Sequence, residues 1–444
     1  MIAIVVSRAD SASEHIGEQL LDCADWTVHV DDSRPDADGG GRFYRTDGFE
    51  LREFEALHLH LADAAEAFSD PDLLVFASRH AGDTDALLTA HFTGNFGPAA
   101  YGGSVNELAA ACPNALARLV SAFDRRAPAG YDVGIECTHH GPSSVGVPSL
   151  FAELGSGPEQ WSDPDAALAV AQAILDLHGT APHTDRQLVG FGGGHYAPRF
   201  ERIVRETPWC VGHIAADWSL EAMGDPAESR DLVRQAFERS EADLALVDGE
   251  WPALVAVIEE LGYRVVSETW LRETAPVSPP LVAAVEESLG SVESGVRFGD
   301  CTDASPADIR TVELPRSLLD EVTGIDPDRT RALVSRSTVA FETTENGTRI
   351  GSRASVVDDA DRERLVAALV ELLRVKYDAV ERDGDDVVAR TTAFDPERAR
   401  DLGVPEGPAF GRLASGQPVE VDGERIEPDR VTTERTRRFP LESC

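Results

Sequence analysis

Hydrophobic positions along the first part of the chain fall into short runs separated by stretches of helical spacing. The short runs are rich in Val, Ile, Leu and Phe, which predicts buried strands. The predicted strands cover residues 1–6, 73–77, 131–137, 187–191, 209–214, 243–247 and 263–267. Between them, helical spacing predicts helices over 105–123, 164–178, 226–239 and 252–261. This alternation predicts an α/β fold with a mainly parallel sheet and helices on both faces.

The pattern changes after Trp270, where Pro, Gly and Ser become frequent. The change predicts two domains, residues 1–275 and residues 276–444. The second region contains a predicted helix over 358–381, a predicted strand over 386–392 and an acidic, turn-rich tail. We therefore expect a smaller α+β domain there, whose role the sequence does not assign.

The chain lacks the signals of a membrane or secreted protein. No apolar run approaches the roughly 18 residues of a spanning helix. The opening "MIAIVVSRAD" lacks the basic flank and cleavage site of a signal peptide, so it is interpreted as a first strand. The six cysteines are scattered without a CxxC pair, which argues against a disulfide framework. A cytoplasmic protein is expected.

Charge is strongly biased towards acid. The chain has 79 acidic and 40 basic residues, and Lys376 is its only lysine. This composition resembles that of halophilic proteins, in which molar salt shortens the Debye length to about 3 Å and screens self-repulsion. Net charge therefore does not exclude a nucleic-acid partner, and phosphate contacts are expected from locally placed arginines.

Histidines follow three of the predicted strands directly. Strand 73–77 leads into "SRHAGD" and "LTAHFTGN", strand 131–137 into "THHGP", and strand 187–191 into "GFGGGHYAPRF". Ligands of open parallel sheets bind at the carboxyl ends of the strands, so these segments are expected to converge on one crevice. The predicted catalytic residues are His80, His139, His140 and His195.

Clustered imidazoles suit Zn²⁺, and a site with few protein ligands leaves a position for water. The candidate zinc ligands are His80, His91, His139, His140 and His195. Without a metal, the same histidines suit general-base and oxyanion roles, and the sequence leaves both schemes open.

The sequence does not contain two other well-known catalytic motifs. In "HLHLAD", Ala62 and Asp63 stand where a two-metal hydrolase motif needs Asp and His, so His58 and His60 are expected to alternate on a strand. The chain has no GxSxG segment, and Cys137 is predicted to lie inside a strand. Both observations argue against a serine or cysteine nucleophile.

The segments "FASRH", "HFTGN", "YGG", "THHGP" and "GGGHYAPR", in this order, closely resemble the archaeal and plant type of D-aminoacyl-tRNA deacylase over roughly residues 1–270. The resemblance implies a monomeric enzyme that hydrolyses the ester between a D-amino acid and the terminal ribose of tRNA. It also implies zinc as cofactor and a fold similar to those of phosphorylases and peptidyl-tRNA hydrolases.

Substrate contacts are expected around these histidines. The predicted substrate-binding residues are Arg79, Thr93, Asn95, Thr138, Gly193, Gly194, Tyr196 and Arg199. The two arginines suit tRNA phosphates or a developing oxyanion, the tyrosine ring suits the terminal adenine, and Thr138 and Asn95 suit the substrate amine. The glycines suit a close backbone approach to the ligand.

Two other functions fit parts of the sequence. One is a zinc-dependent hydrolase of peptide or N-acyl substrates, and the other is a non-catalytic tRNA-binding protein. For the latter, residues 402–431 resemble a segment near the end of tRNA 3′-processing nucleases, and a small turn-rich β unit explains the same segment equally well.

Overall fold

The computed structural model describes residues 1–442 and divides into two compact units. The first spans Met1–Ala275 and the second begins at Pro276. Within residues 1–442, no helix is both long and apolar enough to cross a bilayer. The deacylase role that the resemblance implies for the first region stays a prediction.

The first unit contains two sheets. Its strands are β1 (Ile2–Ser7), β2 (Thr27–Asp31), β3 (Gly41–Thr46), β4 (Phe49–Phe54), β5 (Leu73–Arg79), β6 (Leu87–His91), β7 (Asp132–Ile135), β8 (Ser149–Gly155), β9 (Gln187–Gly192), β10 (Cys210–Ala215), β11 (Leu244–Asp248) and β12 (Arg264–Val265). One sheet has the order β2-β3-β4-β1-β5-β8-β6-β7, and the other has the order β10-β9-β11-β12.

Several helices of the first unit begin at a proline or at a capping side chain. They are α1 (Ser11–Cys23), α2 (Pro113–Arg126), α3 (Pro158–Trp161), α4 (Pro164–Leu175), α5 (Pro198–Glu206), α6 (Asp217–Met223), α7 (Arg230–Ser240), α8 (Pro252–Glu260) and α9 (Glu268–Thr274). Asp163 begins α4 by accepting hydrogen bonds from the N–H groups of Asp165 and Ala166, and Pro164 occupies the first helical position.

Strand directions confirm the α/β class and refine it. Strands β4, β1, β5 and β8 run parallel, as do all strands of the second sheet. Strand β6 is antiparallel to β8 and parallel to β7. The large sheet is thus mixed, and β6 and β7 enter the site from the direction opposite to β5.

Two predicted helices were too long. The helix expected over 105–123 begins at Pro113, because the residue before a proline is disfavoured in helical conformation. The helix expected over 358–381 ends at Leu373, and the chain then pairs as a strand. Strands β2–β4, β6 and β8 were missed, since they are polar in part or carry a buried charge.

The second unit has its own apolar core. Its helices are α10 (Pro279–Ser288), α11 (Arg316–Ile325), α12 (Pro327–Ser337), α13 (Asp359–Leu373), α14 (Pro396–Asp401) and α15 (Pro408–Ala414). Its strands are β13 (Val296–Phe298), β14 (Arg310–Glu313), β15 (Ala340–Thr344), β16 (Arg349–Val356), β17 (Ala379–Asp383), β18 (Asp386–Phe394), β19 (Val419–Val421), β20 (Glu424–Ile426) and β21 (Thr432–Pro440). These strands pair in small antiparallel sheets.

Candidate active site

A cavity of about 540 Å³ lies over the middle of the large sheet of the first unit. The end of β5, strand β8, the loop after β7 and the loop after β9 supply its walls. Its polar lining consists of Asp10, His58, Ser78, Arg79, His80, Tyr101, Glu136, His139, His140, Glu153, His195 and Tyr196. All four predicted catalytic histidines are therefore brought together.

Strand β8 places two groups on the cavity floor. Phe151 and Glu153 are two residues apart and point to the same face of the strand. Phe151 pairs with His91 of β6, and Glu153 is opposite both Ser78 of β5 and a residue of β6. The central strand therefore connects the histidines of β5 and β6, although these two strands run in opposite directions.

Three imidazoles are packed together above this floor. The ring centroids of His91, His139 and His140 lie 4.5–4.7 Å apart. Each Nδ1 lies 2.8–2.9 Å from a main-chain carbonyl oxygen one or two residues away. A carbonyl oxygen only accepts, so each Nδ1 carries a proton, and in the neutral ring the lone pair lies on Nε2.

This arrangement suits a metal ion. One ring nitrogen from each of the three histidines lies within 4.8 Å of the others. The buried His91 Nε2 makes no hydrogen bond, and the nearest carboxylate oxygen, Glu153 Oε1, lies 3.4 Å away. An imidazole whose Nδ1–H is bound by a carbonyl is the usual form of a zinc-ligating histidine. The donor set of His91, His139 and His140 therefore fits Zn²⁺.

The protonation states of His139 and His140 also suit metal binding, which needs neutral imidazoles. Burial and the two neighbouring imidazoles hold the pKa of His139 well below its usual range. Burial likewise lowers the pKa of His140 to about 4, so both rings are neutral near pH 7. Burial also disfavours charge on His91, but the nearby Glu153 carboxylate outweighs it and raises the pKa. A cation bound between the three histidines would offset the charge of Glu153 in place of a proton on His91.

A second cluster joins His80 to two buried carboxylates. His80 Nδ1 lies 3.1 Å from Glu136 Oε1 and 3.5 Å from Glu153 Oε2. Burial opposes the charge on His80, but the two carboxylates outweigh it and raise the pKa to about 10. Despite burial, adjacent histidines lower the pKa of Glu153 to about 2 and hold that of Glu136 well below its usual range. The cluster therefore contains an imidazolium between two carboxylates.

The loop after β9 completes the network. Glu136 Oε2 accepts a hydrogen bond of 2.8 Å from His195 Nε2. The Tyr196 hydroxyl lies 3.3 Å from His80 Nε2. The Cys137 N–H donates to the carbonyl of His195 at 2.8 Å, which joins this loop to the loop after β7. The network thus spans both sheets of the first unit.

Two sequence expectations for this region were wrong. Cys137 follows β7 rather than lying inside it, because pairing with β6 ends at Ile135. Its Sγ is 3.5 Å from His195 Nδ1, yet the residue is buried and burial raises the thiol pKa to about 12. His58 and His60 lie in a short 3-10 helix instead of a strand, and His58 is buried in the cavity wall.

Several predicted substrate contacts have partners within the chain. The Asn95 side chain donates to the carbonyls of Gly102 and Ser104, and Thr138 Oγ1 bonds His213 Nδ1 at 2.9 Å. Thr93 is buried and does not line the cavity. Asn95 and Thr138 therefore hold loops of the site in place, whereas the buried Thr93 hydroxyl makes no hydrogen bond.

The predicted arginines and glycines differ in their surroundings. Arg199 Nη1 lies 3.0 Å from Asp248, and its Nε lies 3.4 Å from Glu268, outside the cavity lining. Arg79 lines the cavity, with its guanidinium carbon 5.2 Å from the centre of the Trp161 ring. The Gly193 N–H donates to Asp217 at 2.9 Å. Nothing lies within 4 Å of the position that a Gly194 Cβ would occupy.

Glu136 and Glu153 were missed by sequence reasoning. Each lies among apolar residues, in "GIEC" and "LFAELG", where an ionisable side chain is unusual. A buried carboxylate in such a run needs a partner, and that requirement was the available signal.

An α/β fold whose cavity is lined by neutral imidazoles and paired carboxylates is typical of a hydrolase, in which an activated water attacks the substrate.

Comparison with known proteins gives the family. The model of the D-aminoacyl-tRNA deacylase family matches residues 67–266. The chain is 54% identical to the D-aminoacyl-tRNA deacylase of Halorubrum lacusprofundi, over 100% of this chain and 97% of that protein. It is also 54% identical to that of Natronomonas pharaonis, over 99% of this chain and 100% of that protein. The chain belongs to the D-aminoacyl-tRNA deacylase family, which confirms the resemblance found in its sequence.

These relatives extend the match beyond the catalytic unit. Both are covered almost completely, so they also contain a counterpart of the region after residue 275. Their haloarchaeal sources agree with the acidic, lysine-poor composition. A crystal structure of a conserved protein of unknown function is similar with a TM-score of 0.55 and 29% identity, covering 61% of this chain and 96% of that chain.

Phe151 is expected to support both the fold and the site. Its ring packs 5.1 Å from His91, 4.9 Å from His140 and 4.7 Å from Phe76. Phe151→Ala should lower the free energy of unfolding by about 3–5 kcal/mol, because it leaves a cavity under the imidazoles. Urea unfolding in molar KCl measures the loss. Phe341→Ala, in the core of the second unit, is the matched control for activity.

The Phe151 variant should lose activity under conditions in which it is still folded, whereas the control should lose stability alone. Wild-type unfolding and turnover in Phe151→Ala would contradict the expectation.

Proposed function

We propose that this protein hydrolyses the ester of D-aminoacyl-tRNA and releases a D-amino acid and tRNA. The observation that carries the proposal is the convergence of three histidines, one ring nitrogen of each within 4.8 Å of the others, beside an imidazolium that two carboxylates hold. The names of the related proteins supply the substrate class. Sequence similarity over the whole chain supports transfer of that activity.

We propose that Zn²⁺ is held by Nε2 of His91, His139 and His140. When bound at such a site, zinc polarises a carbonyl and lowers the pKa of a coordinated water to about 7. In the alternative scheme, Nε2 atoms of the neutral rings act without a metal and accept hydrogen bonds from the attacking water. Both schemes use the same side chains.

The His80 cluster provides the proton for the leaving ribose oxygen. With a pKa raised to about 10, His80 keeps a proton on both nitrogens near neutrality. Its Nδ1–H is held by the carboxylates, so Nε2–H points to the Tyr196 oxygen. Tyr196 in turn passes its own hydroxyl proton to the departing oxygen, and His80 replaces it. Glu136 fixes the rings of His80 and His195 at the same time.

Substrate specificity is the direct test. Incubation with D-tyrosyl-tRNA should release the amino acid, and L-tyrosyl-tRNA should be spared. The two enantiomers offer the same polar groups, so a difference must come from the shape of the cavity. Loss of the ester is followed by acid precipitation in molar KCl. If the protein hydrolyses neither substrate but cleaves a peptide or N-acyl compound, the proposal is wrong and the alternative hydrolase function is correct.

Metal binding distinguishes the two schemes. If zinc is the cofactor, purified protein should contain zinc, and His140→Ala should lose it because one of three Nε2 ligands is removed. His178→Ala, which changes an exposed histidine outside the cavity, is the matched control and should keep its zinc. Elemental analysis measures the content. If metal-free wild-type protein is fully active, the zinc scheme is wrong and the scheme with a histidine-activated water is correct.

The proton donor is tested by His80→Gln. Loss of a general acid should reduce kcat by about 10²–10⁴-fold. Zinc content should be unchanged, because His80 is not among the three proposed ligands. Tyr196→Phe should reduce kcat as well, since it removes the hydroxyl that relays the proton. A wild-type kcat for His80→Gln would refute this assignment.

A further inference from the structure

Two aromatic side chains stand exposed beside the cavity. Tyr101 is 67% exposed and Trp218 is 47% exposed. Within residues 1–442, the other large apolar side chains that stand exposed are valines: Val28, Val30, Val105 and Val375. The exposed large aromatic surface is thus concentrated at the site. Exposed rings beside a cavity offer flat faces on which a base can stack.

Tyr101 is held firmly although its ring is open to solvent. The Gly141 N–H donates to its carbonyl at 3.1 Å, directly after the proposed ligand His140. The Asn95 side chain donates to the carbonyls of Gly102 and Ser104 at 3.0 and 3.1 Å. Tyr101 therefore forms part of the cavity rim at a fixed position.

Trp218 is also held close to the site, because its neighbour Asp217 is hydrogen-bonded to the loop after β9. It lies in the first turn of α6, and its ring stacks on His195 with a centroid distance of 6.5 Å and an interplanar angle of 27°. Asp217, the preceding residue, exchanges two hydrogen bonds of 2.9 Å with Gly193 through its backbone N–H and its carboxylate. Hydrogen bonds thus tie the backbone beside each ring to a loop that carries predicted catalytic histidines.

Charge offers little for holding an RNA strand here. The chain has a formal net charge of −39. Arg199 is paired with Asp248 and Glu268, which leaves Arg79, over the Trp161 ring, as the arginine in the cavity lining. Phosphate contacts also weaken steeply as salt rises, whereas stacking on an aromatic ring depends on contact with a base. Stacking is therefore the interaction that this rim is equipped to supply in concentrated salt.

We propose that Tyr101 and Trp218 form a stacking surface for the unpaired bases at the 3′ end of the tRNA, next to the ester that enters the cavity. The proposal rests on the proposed function and extends it to the recognition of the nucleotide part of the substrate. Since every base has a π face, the surface is suited to one constant end carried by many different tRNAs.

The test is binding of uncharged tRNA by the full-length protein, measured by fluorescence anisotropy in molar KCl. Tyr101→Leu and Trp218→Leu should each weaken binding by about 5- to 150-fold, the effect of losing one base–ring stack. Tyr101→Phe and Trp218→Phe keep a ring and should bind almost as well as wild type. Val375→Ala, a change at an exposed apolar side chain of the second unit, is the control.

A second RNA distinguishes stacking from a general loss of affinity. A tRNA trimmed of its unpaired 3′ nucleotides should bind weakly to wild type and to the Leu variants alike. With D-aminoacyl-tRNA, the Leu variants should raise KM and leave kcat close to wild type. Wild-type affinity in both Leu variants, or equal losses in the Leu and Phe variants, would overturn the proposal. Failure of D-aminoacyl-tRNA hydrolysis with the binding pattern intact would refute the proposed function and keep the stacking surface.

Discussion

The site depends on two carboxylates that are buried together. Glu136 and Glu153 are almost inaccessible, and a buried carboxylate is costly unless it is paired. His80 lies within 3.5 Å of both, while His195 and His91 each face one of them. The carboxylates thereby fix the ring positions of three histidines that come from different parts of the chain. Removing either one would leave an imidazole without the partner that orients it.

Strand β8 is the element that makes this pairing possible. It is parallel to β5 on one side and antiparallel to β6 on the other, so residues from opposite strand directions meet at its centre. A purely parallel sheet would have placed His80 and His91 at the same edge. Here Glu153 lies between them instead, and Phe151 supports the imidazoles from below. The mixed topology therefore puts the chemistry over the face of the sheet rather than at its rim.

The sequence predicted the parts of this site that follow simple patterns. Histidines placed directly after apolar strands were expected to converge, and His80, His139, His140 and His195 all line one cavity. The direction of β6 was not predictable, because a short apolar run looks the same in either direction. Glu136 and Glu153 were overlooked since periodicity shows that a residue is buried but not which partner it meets. Asn95 and Thr138 illustrate the reverse case, as polar side chains near the site whose hydrogen bonds hold loops.

The charge inside the cavity bears on how an acidic protein accepts a polyanion. Glu136 and Glu153 place two negative charges at the centre and the adjacent imidazoles offset them, so the centre has no excess of positive charge to attract the phosphate next to the ester. A divalent cation held by the proposed histidine ligands would supply that positive charge locally, without any change to the acidic surface. At a Debye length of about 3 Å, only such contact-range charge matters, and the surface charge is screened. The proposed cation for the ester and the proposed aromatic surface for the bases would both act at short range, where concentrated salt has little effect.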